Sequence, residues 1–258
     1  MSLISASFQH HTLSLTLNRP DKANAFNRDM ILKLQSALND AEQNDEVRSI
    51  LITGTGGSFS SGQDISEMED VQATEISYHE HLRETYNPLI LKLREIEKPV
   101  IAAINGTVAG AGLGIALACD LRIAADDARF TVGFTGIGLV PDSGVSLLLP
   151  ALIGLARATE ATFSNLPISA SDALKWGMVN RLVPAEDLLA TAQQIAMMLA
   201  LGPVQTFGAT KKAFNCAVLP NLAEVLEYEG KLQEIAGKSE EHKIGVKAFL
   251  KKERPSFL

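Results

Sequence analysis

The chain has 258 residues, 46% of them hydrophobic and 21% charged, with a net charge of −7. That is enough chain to bury a full core without disulfides or metals, and the acidic balance argues against a nucleic-acid surface. Cys119 and Cys216 lie in apolar helical contexts with no CxxC pair or Cys/His cluster, so a zinc site is not expected and both read as buried thiols in a reducing compartment.

The first residues lack the basic start and apolar core of a secretory signal. The most apolar stretch, 99–118, is broken by Asn105 and by glycines, so no membrane span is expected and a cytoplasmic location is. Leu13, Leu15 and Leu17 alternate with Ser14 and Thr16, which predicts a half-buried strand ended by Asn18-Arg19-Pro20-Asp21. Asn27 is placed to cap a helix with Met30, Ile31, Leu34, Ala37, Leu38 and Ala41 on one apolar face. Residues 47–53 read as a second strand, closed by glycines, and the loop 58–64 leads into a polar helical region reaching about Glu97. The run 100–105 has the length of a buried strand; 106–114 is glycine-rich; 115–119 reads as helix and 121–124 as strand. Residues 130–138 read as loop, after which Pro141-Asp142-Ser143 opens a helix from Gly144 to Leu155. Helices follow over 170–176, 187–200 and 203–258. Strand, helix, strand and loop in repetition, then helices alone, indicate an α/β body with an all-helical tail.

Two loops, Ser61-Gly62-Gln63-Asp64 and 106–112, each precede a helix. Free N–H groups at such places bind oxyanions, phosphates or polarised carbonyls, although glycine there also serves tight turns. The residues match neither GxGxxG nor GxxxxGK[ST]. Asp142 admits two jobs: a cap for the helix that follows, or a carboxylate base among Phe134, Ile137, Leu139 and Val140. Burial would raise its pKa and a helix start would lower it. The basic residues Lys243, Lys247, Lys251, Lys252 and Arg254 form either a solvated helix face or a phosphate-binding patch.

Seven stretches, NRPDKANA (18–25), FSSGQDI (59–65), KPVIAAING (98–106), GAGLG (110–114) running on to Cys119-Asp120, GLVPDSG (138–144), WGMVN (176–180) and FLKKERP (249–255), resemble the enoyl-CoA hydratase/isomerase family, the crotonase superfamily. The resemblance implies a ββα spiral core over 1–200 that binds acyl-CoA, followed by a helical oligomerisation region over 201–258. It implies a homotrimer or a dimer of trimers, with an acyl-CoA thioester as substrate, no other cofactor and no metal. By position, the oxyanion hole falls on the backbone N–H groups of Gln63 and Ala111. CoA is expected along Lys22, Ala23, Ala25, Ser61, Asp64 and Ile65, with Gly110, Phe134 and Leu139 in the substrate pocket. Phe249 and Lys252 match positions that in relatives reach the CoA of a neighbouring subunit.

Where the family's hydratases carry two carboxylates, this chain has Gly114 and Phe134, neither of which transfers a proton. Asp142 is similar to the single acid of the ring-epoxide and Δ3,Δ2-enoyl-CoA isomerases, and one carboxylate suffices to take a proton and return it. The resemblance therefore moves Asp142 from cap to base. Three alternatives stand beside isomerisation: a hydratase with weak hydration, dehalogenase-like hydrolysis, and a non-catalytic binding scaffold. Dehalogenases of the family add a histidine base, and this chain has Asn87 near that place; His79 and His81 read as exposed helix residues. Residues 68–87, with Met68, Thr74, Tyr78, His79 and His81, are expected to wall the acyl pocket.

Overall fold

A computed structural model describes residues 2–66 and 77–258. Strands β1 (Ile4–Gln9) and β2 (Thr12–Leu17) form an antiparallel hairpin, turning through His10 and His11, both at positive φ. β2 is the alternating strand the leucines predict, whereas β1 escapes that logic because it buries Ile4 and leaves its other residues exposed. Helix α1 (Arg28–Gln43) starts where expected: Asn27 Oδ1 accepts from Met30 N at 3.0 Å, and Met30, Ile31, Leu34, Leu38 and Ala41 are buried.

β3 (Ser49–Gly54), β5 (Val100–Ile104), β7 (Leu121–Ala125) and β10 (Arg181–Val183) extend the hairpin into a six-stranded sheet of order β1-β2-β3-β5-β7-β10. From β2 onward the pairings are parallel. The central strands are covered on both faces, which is why β5 is apolar throughout instead of alternating. One face packs Leu51, Ile101, Ala103 and Ile123 against Leu188, Ala192 and Ala196 of a tail helix, Leu188–Ala200. The other faces the main core, with α1 and the helices of residues 78–118.

A second sheet, order β4-β6-β8-β9, is built from β4 (Ser58–Ser60), β6 (Thr107–Ala109), β8 (Arg129–Thr131) and β9 (Ile168–Ser169). β3 and β4, β5 and β6, and β7 and β8 make the same step in turn: a strand in the first sheet, a tight turn, a short strand in the second, then helix. This is the ββα spiral. The helices that follow these steps are α2 (Tyr78–Glu84) with α3 (Tyr86–Glu95), then α4 (Gly110–Ala118), then α5 (Val145–Ile153) with α6 (Leu155–Ser164). The helix expected over 144–155 is α5, ended by Gly154 at φ 81°, and α6 beyond that glycine was not among the expected elements.

After α7 (Ala170–Lys175) and α8 (Leu188–Ala200), the tail consists of α9 (Val204–Val218), α10 (Leu222–Gly237) and α11 (Glu240–Leu250). α9 packs on α3, α10 on α2, α3 and α5, and α11 on a 3-10 turn at Thr135–Ile137. The last contact depends on Gly245, where a methyl would lie 2.5 Å from the Ile137 carbonyl carbon. Helix was expected to Leu258 but stops at Leu250. Of the two cysteines, Cys119 is buried and Cys216 is exposed on α9, so the expectation of two buried thiols fails for Cys216. Among the described residues no single helix is long and apolar enough to cross a membrane.

Candidate active site

A cavity of about 640 Å³ opens between the loop after β4, helix α2, the start of α4, the turn 133–139 and the C-terminal stretch 249–255. Phe26 N donates to Gly62 O at 2.7 Å and Asp64 N to Phe26 O at 2.8 Å, a parallel bridge that pins the residues on either side of Gln63. The Gln63 N–H itself has no backbone acceptor among the described residues. Opposite, Gly110 at φ 54° begins α4, and the Ala111 N–H lies in a first turn where the helix supplies no acceptor. The two loops touch: a methyl on Gly62 would lie 3.3 Å from Ala111 N and 3.0 Å from Ala109 O. Gly62 also sits at φ 93°, so both its conformation and this contact call for glycine.

Gln63 is steadied through its side chain, whose Oε1 accepts from the Tyr86 hydroxyl at 2.6 Å. His81 Nε2 lies 3.4 Å from the same oxygen. His81 is not an exposed helix residue; it lines the cavity, and burial, with the charge of Arg28, lowers its pKa to about 4, so it stands neutral. His79 is half-buried on the far side of α2, with Nε2 2.9 Å from Glu227 Oε1. Tyr78, His81, Leu82 and Tyr86 supply the wall expected of this segment, while Met68 and Thr74 lie outside the described residues.

Asp142 reaches the cavity with 6% of its surface exposed. Burial pushes its carboxyl up to about 6, against two hydrogen bonds that favour the charged form. These come from Ser143 Oγ to Oδ1 at 2.7 Å and from Gln233 Nε2 to Oδ2 at 2.6 Å. Gln233 is itself fixed, since its Oε1 accepts from Val140 N at 3.1 Å. The carboxylate makes no capping bond to α5. That place belongs to Glu229 of α10: Gly144 N donates to its Oε2 at 2.9 Å and Ser146 N to its Oε1 at 3.1 Å. Glu229 is 3% exposed, and burial, with the charge of Asp142 adding to it, raises its pKa to about 7.

Neither Glu229 nor Gln233 was singled out from sequence. The signal was available: the buried stripe of α10, Leu222, Leu226, Glu229, Gly230, Gln233 and Gly237, is interrupted by two polar residues four apart. Polar groups on a buried stripe need partners, and theirs lie on the Asp142 turn.

The family model for enoyl-CoA hydratase/isomerase matches residues 7–258. The chain belongs to the enoyl-CoA hydratase/isomerase family. It is 39% identical over 258 residues to 1,2-epoxyphenylacetyl-CoA isomerase of Escherichia coli (strain K12), covering 100% of this chain and 98% of that protein. It is 35% identical over 227 residues to 4-chlorobenzoyl coenzyme A dehalogenase-2 of an Arthrobacter species, covering 88% and 82%. Among solved structures, an enoyl-CoA hydratase from Mycobacterium avium subsp. paratuberculosis K-10 superposes with a TM-score of 0.90 at 32% identity, covering 100% of this chain and 99% of that one.

Within this enoyl-CoA hydratase/isomerase fold, the cavity gathers Gln63, Ala111 and Asp142 with Lys22, Ala25, Ser61, Asp64, Ile65, Gly110, Phe134, Leu139 and Phe249. Two of the expected CoA contacts are not in its lining. The Ala23 carbonyl accepts from Ser61 N at 3.0 Å; Lys252 is exposed beyond the end of α11. Phe249 lines the cavity of its own chain. Asp64 is tied up structurally: burial alone would raise its pKa, but hydrogen bonds from Ser66 and Arg19 hold it below the usual carboxylate range. Gly114 has no room for a carboxylate, since a Cβ there would lie 2.4 Å from the Ser143 carbonyl oxygen. Asn87 is buried between α3 and α10, with Nδ2 3.3 Å from Leu226 O, and is not in the cavity lining.

Proposed function

We propose that the chain is an acyl-CoA isomerase in which Asp142 takes a proton from one carbon of the acyl group and returns it to another. The N–H groups of Gln63 and Ala111 hold the thioester oxygen while it carries the negative charge of the enolate. Preorganised amides act because that charge is larger in the transition state than in the substrate, and each such donor contributes about 3 kcal/mol. The observation that carries this reading is a buried carboxylate at the cavity, with a pKa near 6, that makes no capping bond to its own helix. A base with a value slightly below working pH is both ionised and able to hold a proton between two steps. Gly114 and Phe134 leave the site without the second acid that water addition requires in the family's hydratases, and the Gly114 contact with Ser143 keeps it so.

The test is to incubate the protein separately with 3-enoyl-CoA and 2-enoyl-CoA and follow double-bond migration and hydration. Migration is expected, with solvent deuterium entering the recovered acyl group. Asp142→Asn should lower the rate of migration by roughly 10²- to 10⁴-fold while leaving acyl-CoA binding nearly intact. Rapid hydration without migration would replace this reading with that of a hydratase.

A second reading, rearrangement of a ring epoxide on an aromatic acyl-CoA, uses the same enolate and oxyanion hole. The 39% identity along the whole chain to 1,2-epoxyphenylacetyl-CoA isomerase favours it, as do Tyr78, Tyr86 and Phe134 in the cavity wall. Offering aliphatic and ring-epoxide acyl-CoA substrates side by side separates the two.

A further inference from the structure

The first turn of α5 presents backbone donors immediately after Asp142, and a carboxylate just before a helix is the natural acceptor for them. The chain avoids that outcome. Ser143 at φ 54° and Gly144 at φ 78° put two successive left-handed residues between Asp142 and Val145. The donors of Gly144 and Ser146 then point to α10, where both oxygens of Glu229 receive them and the Ser146 hydroxyl adds a third bond to Oε1. One turn further along α10, Gln233 bridges Val140 N and Asp142 Oδ2.

We propose that Glu229 is a positioning residue for Asp142: by capping α5 from another helix, it keeps the Asp142 carboxylate on Ser143 and Gln233 and turned to the cavity. The proposal rests on Asp142 being the proton-transferring group. The donors of α5 are thus taken by a carboxylate 85 residues away in sequence, although Asp142 stands two residues before the first of them. Burying it beside Asp142 adds a like charge to the interior, which a merely structural cap could have avoided with a serine or asparagine. Asp142 is also the charged group that acts on Glu229; its remaining partners, Gly144 and Ser146, are neutral.

The experiment compares Glu229→Gln, Ser146→Ala and Asp142→Asn with the full-length protein, using acyl-CoA isomerisation across pH and acyl-CoA binding. In Glu229→Gln one amide donor faces another, so Asp142 is free to turn back to the helix. kcat is expected to fall on the order of 10- to 100-fold with KM nearly unchanged, as for a displaced reacting group. The acid midpoint of kcat/KM is expected to move down toward the ordinary carboxylate range. A role in stability alone would lower the melting temperature and leave kcat per folded molecule and that midpoint as in the parent; this result overturns the proposal. Ser146→Ala removes one hydroxyl from Glu229 and carries the test if the glutamine variant does not fold. It should lower kcat about threefold at constant KM, the factor of one hydrogen bond, and no change in kcat overturns the proposal. If Asp142→Asn keeps full activity, the base assignment has failed and the positioning role fails with it. If Asp142→Asn is inactive while both other variants behave as the parent, the failure belongs to Glu229 alone.

Discussion

Asp142 is held between opposing influences, and pH reads their balance. Burial raises its pKa from 3.8 to about 6, while Ser143 and Gln233 pull the other way. As a base it must be ionised, so kcat/KM should rise with pH through about 6 and level off above it. Stability follows the opposite course. The folded carboxyl binds its proton more tightly than the unfolded one, so its contribution is fully present below 3.8 and is lost as pH rises through about 6. The span corresponds to about 3 kcal/mol at most. Asp142→Asn should therefore unfold at a higher temperature than the parent at pH 8, with the advantage shrinking toward pH 4 in thermal melts. Gly114 supports a second prediction. Placing Glu there should not create a hydratase, because its Cβ meets the Ser143 carbonyl at 2.4 Å. Denaturant titration should show a loss of about 1–3 kcal/mol or more, as for other overpacked sites, and 2-enoyl-CoA should remain unhydrated.

Among the elements, α11 has the most separable effect. It stands on the turn at Thr135–Ile137, where His242 Nδ1 lies 2.7 Å from Ile137 O and Nε2 lies 2.8 Å from the Tyr78 hydroxyl. Its C-terminal end brings Phe249 and Leu250 into the cavity. Ending the chain at Lys238 should raise KM for acyl-CoA on the order of tenfold or more, since the pocket loses an apolar wall. Steady-state kinetics on the shortened protein would check this. The elements also show where sequence is legible. β2, β5 and α1 were readable because each has one strong period: two, continuous, or 3.6. β4, β6 and β8 are three residues each, too short for a period to build up. They are strands because a neighbouring spiral turn lies alongside, which is a tertiary fact. The same divide runs through the site. Gln63, Ala111 and Asp142 lie in local loops that can be matched to a family pattern, whereas Glu229 and Gln233 become meaningful only when α10 crosses the start of α5.

For the whole molecule, several large apolar side chains stand exposed. Leu155, Phe163, Leu166, Leu201, Phe214 and Ile235 are each more than 60% exposed. We propose that they meet other copies of this chain, the family resemblance implying a trimer, or two trimers joined. Sedimentation at micromolar concentration should give a multiple of three; a stable monomer would contradict it. A consequence for protein engineering follows from where Glu229 and Gln233 reside. Both belong to the stretch that would be exchanged in grafting a relative's C-terminal helices to alter assembly. Such a chimera would also inherit or lose the two side chains that aim the reacting acid, so assembly state and chemical competence could not be selected independently in this scaffold.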